Sequence, residues 1–127
     1  MSEVFNTPEM TPGEFLDRFT IMIRKQKFDP ENYAIRVKDY LEIMKDIKFD
    51  AQLLSMICEL QMANVDIWNL EYDIRRGKEG LLGMAEVGER AIAIRDFNKR
   101  RIELVNKINE AFGITDRKET KHNHGSE

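Results

Sequence analysis

The sequence predicts an all-α fold, an up-and-down four-helix arrangement built on a long antiparallel hairpin. Three observations carry that prediction. Apolar residues recur at i, i+3 and i+4 through two long segments, 51–76 and 84–112, joined by a glycine-rich stretch from Gly77 to Gly83. Helix-start signals appear twice before them, at Thr11-Pro12-Gly13-Glu14 and Asp29-Pro30. No stretch carries the period-two alternation of a strand.

The elements follow in order. Residues 1–10 read as a flexible lead, 11–114 as a single helical domain, and 115–127 as a disordered polar tail holding both histidines. Thr11 is an N-cap, Pro12 suits the first turn, and Glu14 at N3 completes a capping box. The helix they open places Phe15, Leu16, Phe19, Met22 and Ile23 on one face and ends near Lys27. Asp17, Arg18, Arg24 and Lys25 lie off that face. Asp29 caps a second helix running to about Ile47, with Val37, Tyr40, Leu41, Met44 and Ile47 inward. Asp50 caps the third, after Lys48-Phe49. The fourth closes at Phe112-Gly113, where glycine takes the left-handed conformation.

Composition narrows the function classes. A chain of 127 residues is one domain. Its 34% charged and 42% hydrophobic residues suit a solvated helical bundle. With a net charge of -3 and both signs interspersed, it lacks the basic stripe of a nucleic-acid binder. No apolar run approaches the roughly 20 residues that cross a bilayer. A start without a cationic stretch and an apolar core predicts no signal peptide. The single cysteine, Cys58, cannot close an intramolecular disulfide and reads as a packed helical residue, so a cytoplasmic protein is expected.

Each long helix breaks its apolar row with polar groups. Leu53, Ile57, Leu60, Ile67 and Ile74 share a row with Asn64 and Glu71. Val87, Ala91, Ile94, Val105, Ile108 and Phe112 share theirs with Asn98, with Arg101 at its margin. An unpaired polar group facing a core costs roughly 1–3 kcal/mol. A turn near residue 80 brings Arg75 near Glu86, Glu71 near Arg90, Asn64 near Asn98, and Leu60 near Arg101. These groups either pair with one another, fixing helix register, or line a pocket. The candidate ligand-binding residues are therefore Glu71, Arg75, Arg90, Asn98 and Arg101, with Asp17 and Arg18 approaching from the first helix.

The stretch from Thr11 to Ile21 resembles the opening of an uncharacterised family of small bacterial all-helical proteins. That family begins Pro-Gly-Glu-aliphatic-Leu-Asp, then Lys or Arg, any residue, and Thr-Ile. The segment around Trp68, Glu71 and Arg75, the asparagine–arginine helix with Asn98 and Arg101, and the close at Ile108-Asn109 are similar to later parts of its pattern. Tyr72 and Lys99 stand where that pattern places aspartates. The resemblance implies no reaction; family members tend to be encoded near genes for cell-surface polysaccharide synthesis.

Enzyme readings fare poorly on spacing. Glu86-x-x-Glu89 and Glu103-x-x-Asn106 mimic the facing acidic helices of nucleotide pyrophosphohydrolases, but lie on one helix about 25 Å apart. Arg75, Arg90 and Arg101 offer the electrostatic clamp of a helical chorismate mutase without its accompanying residues. The histidines fall outside the helices, so triads and a metal site lack support. No metal or cofactor is expected. The leading expectation is a non-catalytic helical interaction protein that forms a homo-oligomer or binds a protein partner, using an apolar face with Trp68, Leu70, Phe97 and Leu104. The alternative is a small-molecule enzyme or sensor with a polar inter-helix pocket, in a sugar or polysaccharide pathway.

Overall fold

A computed structural model describes residues 10–75 and 83–114. They form four helices: α1 (Pro12–Phe28), α2 (Pro30–Met44), α3 (Ala51–Arg75) and α4 (Met84–Ala111). There is no strand among the described residues. The expected flexible lead, the glycine-rich connection and the disordered tail lie outside them, apart from Met10 and Gly83.

The helix ends obey the local chemistry. Thr11 Oγ1 accepts the Glu14 N–H at 3.3 Å, but Glu14 turns its carboxylate to Arg18, so only half of the capping box forms. Asp29 ends α1 and caps α2, accepting the Asn32 N–H at 3.4 Å. Asp50 Oδ1 accepts the Leu53 N–H at 2.8 Å at the start of α3. Replacing Asp50 by alanine should lower stability by about 1 kcal/mol, measurable as a shifted urea midpoint. Gly113, after α4, has φ 80°, the left-handed geometry glycine tolerates.

Packing centres on three helices. The pairing of α3 with α4 is the most extensive, and α1 lies in the groove between them, touching both. Direction is read from cross-helix partners. Along α1, Asp17 meets Asn64 and Arg24 meets Asn69, so α1 and α3 run parallel. Gly13 meets Asn109 while Asp17 meets Arg101, so α1 and α4 run antiparallel. Leu16, Leu60, Leu104, Val105 and Ile108 form the dry centre, joined by Leu53, Met56 and Phe15. The hairpin register expected from the sequence matches the contacts: Arg90 Nη1 donates to the Leu70 carbonyl at 3.2 Å, and Arg100 reaches Glu59 at 3.0 Å.

The second helix departs from expectation. It ends at Met44, and Ile47 is buried in the connection that follows. It leans on α1, where Tyr40 stacks on Phe15 with centroids 4.3 Å apart, and barely touches α3 and α4. Leu41, expected inward, is 51% exposed, because a helix with one neighbour buries one narrow stripe. On α1 the converse holds. Asp17, expected off the apolar face, is 3% exposed, because packing against both α3 and α4 buries a wider arc than one stripe. Cys58 is exposed rather than packed.

Candidate functional site

The buried polar groups gather around Asp17. Its Oδ2 receives Arg101 Nη1 at 2.5 Å, and its Oδ1 receives Asn64 Nδ2 at 2.9 Å. The same Asn64 amide donates to Thr20 Oγ1 at 2.9 Å, and that hydroxyl donates back to the Asp17 carbonyl at 2.8 Å. Asn98 Oδ1 accepts from Arg101 Nε at 3.4 Å, holding the guanidinium from its own helix. All five side chains are buried. Here α1 supplies the carboxylate, α3 the amide and α4 the cation, so one layer ties three helices together. Two ionised groups out of water are costly unless their remaining donors and acceptors are satisfied. Asn64 and Asn98 provide that satisfaction.

The sequence-predicted residues separate into groups. Asp17, Asn98 and Arg101 meet in this layer. Arg18 does not join them; it lies about 100° further round α1 and pairs with Glu14 at 3.3 Å on a half-buried flank. Arg90 stands further along the hairpin, bonded to Glu86 at 2.9 Å and to Leu70, with the half-buried Glu71 next to that carbonyl in the chain. The Arg75 side chain, and its expected pairing with Glu86, lie outside the described residues. Where the hairpin register alone pointed to Asn64 with Asn98, α1 takes the Asn64 donors through Asp17 and Thr20. Thr20 was not singled out as a site residue on spacing. Its position three residues after Asp17, where a hydroxyl can reach the preceding turn, was the available signal.

A second buried device fixes the end of α1. Gly13 N–H donates to Asn109 Oδ1 at 2.7 Å, so an amide from α4 satisfies one of the orphan donors of the first turn. Asn109 is 1% exposed, and its Nδ2 has no hydrogen-bond partner among the described residues.

The apolar surface lies elsewhere than the sequence placed it. Leu104 is wholly buried, and Trp68, Leu70 and Phe97 are half-buried, because α1 covers the hairpin face that two helices alone would leave open. The open apolar feature sits between α2 and α3 instead. It is a groove of about 390 Å³ whose floor is Leu16 and Phe19 of α1. Met44, Ile47, Phe49 and Ile57 line it, and Lys45 stands at its side. Leu41 and Leu54 also line it and are 51% and 49% exposed. It exists because α2 is held by α1 alone.

No histidine, cysteine, aspartate and glutamate grouping able to hold a metal ion occurs among the described residues, and none of their helices is long and apolar enough to cross a membrane. No protein-family model, curated protein or solved structure matches the chain.

Proposed function

We propose that the protein is a helical interaction module that self-associates through the groove between α2 and α3, and that it carries out no reaction. One observation supports this best: an apolar groove open to solvent, flanked by the half-exposed leucines Leu41 and Leu54. Contiguous exposed apolar surface of this kind marks an interaction site more often than a bare surface feature. A second copy is the occupant favoured by charge. The exposed residues next in sequence to those lining the groove carry both signs, Glu42, Lys45, Asp46, Lys48 and Asp50. A two-fold contact sets a patch against itself, and a patch of mixed sign can do so without net repulsion. The buried layer around Asp17 argues against the alternative of a small-molecule pocket between helices, since its groups bond to one another. The exposed lone thiol of Cys58 suits a reducing cytoplasm.

The test is sedimentation across a concentration series. The wild-type chain should form a dimer with a dissociation constant in the micromolar range, and Leu41→Glu with Leu54→Glu should weaken it at least tenfold without loss of helical circular dichroism. Each substitution places a charge where the contact would strip water from it. A wild-type chain that stays monomeric at several hundred micromolar sinks the proposal.

A further inference from the structure

The corner where α1 gives way to α2 concentrates cations and aromatic rings. Between positions 24 and 38 the chain carries Arg24, Lys25, Lys27, Arg36 and Lys38 against Asp29 and Glu31, although the whole chain is net -3. Asp29 is already committed, holding the Asn32 backbone and side-chain N–H groups at 3.4 and 2.8 Å. The Arg24 guanidinium lies 5.1 Å from the Trp68 ring centre and 5.7 Å from that of Phe28. Lys25 and Arg36 lie 5.6 and 5.4 Å from the ring centre of Tyr33. Phe28, 59% exposed, stacks on Trp68.

Arg24 is the informative residue. Arg18, Arg90, Arg95, Arg100 and Arg101 each have a carboxylate within 4.0 Å. Among the described residues Arg24 has none; its one hydrogen bond goes to the neutral Asn69 Oδ1 at 3.2 Å, and its buried Nε has no acceptor. Burial pulls its pKa below the ordinary arginine value, and no opposite charge offsets that. A half-buried cation without a counter-charge, framed by an exposed phenylalanine and a tryptophan, has the composition of an interface anchor.

We propose that this corner docks an acidic peptide segment of a partner protein, whose carboxylates pair with Arg24 and Arg36 and whose apolar side chain packs on Phe28. Peptide carboxylates fit better than a nucleic-acid strand. The cations already lie over the Trp68 and Tyr33 rings, occupying faces on which bases would stack. A guanidinium stacked on a ring still presents its N–H edge, which matches a carboxylate two bonds at a time. The proposal is independent of self-association, since the groove and this corner share no residue.

The probe is a fluorescein-labelled random copolymer of glutamate and tyrosine, titrated with the full chain in low salt and followed by anisotropy. Emission of Trp68, the single tryptophan, is recorded alongside with unlabelled copolymer. Binding should shift Trp68 emission and weaken steeply with salt. Arg24→Gln with Arg36→Gln should reduce affinity roughly tenfold or more, and Arg24→Lys, which keeps charge but not the fork, by a smaller factor. Arg36→Glu alone, at an exposed position that leaves the α1–α3 contact intact, should also weaken binding, and covers the case in which the double variant unfolds. The variant carrying Leu41→Glu and Leu54→Glu should bind the copolymer as wild type does. Absence of binding at 50 mM salt overturns the proposal, as does unchanged affinity in the arginine variants. Equal or tighter binding of an oligothymidylate or of anionic phospholipid vesicles also overturns it.

Discussion

Asp17→Ala should be among the most destabilising substitutions available to this protein, lowering the free energy of unfolding by about 3–5 kcal/mol. The deletion removes one carboxylate and strands two other groups. Arg101 loses its counter-charge inside the bundle, and Asn64 loses one of its two acceptors on α1. Leaving a buried charge uncompensated is what makes breaking such a pair expensive, beyond the modest net worth of the pair itself. A thermal melt should fall by on the order of 10 °C or more. The matched experiment is Asp17→Leu with Arg101→Met, which removes both charges and fills the space with apolar atoms. It should recover more than half of the loss, because burial without charge needs no compensation. If the single and double variants are equally unstable, the layer holds the helices by shape alone and the electrostatic account is wrong.

Gly13→Ala should be comparably damaging for a different reason. A Cβ built on Gly13 would stand 2.3 Å from the Val105 carbonyl oxygen and 2.8 Å from Asn109 Oδ1. The first neighbour is backbone of α4, so a side-chain rotation cannot relieve the clash. α1 must back away, lengthening the 2.7 Å bond between Gly13 N–H and Asn109 and loosening Leu16 and Phe15 against the core. Overpacking of this kind costs roughly 1–3 kcal/mol, and the fixed backbone neighbour places this site at or above the upper end. Gly88→Ala is the control. Gly88 lies within α4 with nothing inside 4 Å of an added Cβ, so there the change should stabilise by about 0.5–1 kcal/mol through helix propensity. Urea titrations of the two variants should therefore move in opposite directions.

Much of the fold was legible because its signals are local. Thr11, Asp29 and Asp50 cap helices within three residues of themselves, and Gly113 stops one through its own backbone freedom. The hairpin register followed from the turn position together with the polar residues of the two long rows, and the contacts Arg90–Leu70 and Arg100–Glu59 agree with it. The candidate polar residues were legible in part. Asn64, Asn98 and Arg101 stood out because they interrupt or border apolar rows. A single stripe on α1 leaves Asp17 outside, and helical spacing from Val37 and Met44 turns Leu41 inward; the structure reverses both. Both reversals have one origin: periodicity shows that a helix has a face, whereas the number of neighbours sets how wide that face is.

By itself, the amino-acid order determined where the helices begin, though not where the second one ends, that there are no strand signals, and how α3 lies against α4. Those properties depend on hydrogen bonds and spacings within a few residues, or on one short turn. Only the tertiary structure decided that α1 wedges against both hairpin helices while α2 rests on α1 alone. That seating sends Asp17 inward to Arg101 and leaves Leu41 and Leu54 beside an open groove. Burial is a property of the space between elements, and which elements share that space is settled by packing at a distance along the chain.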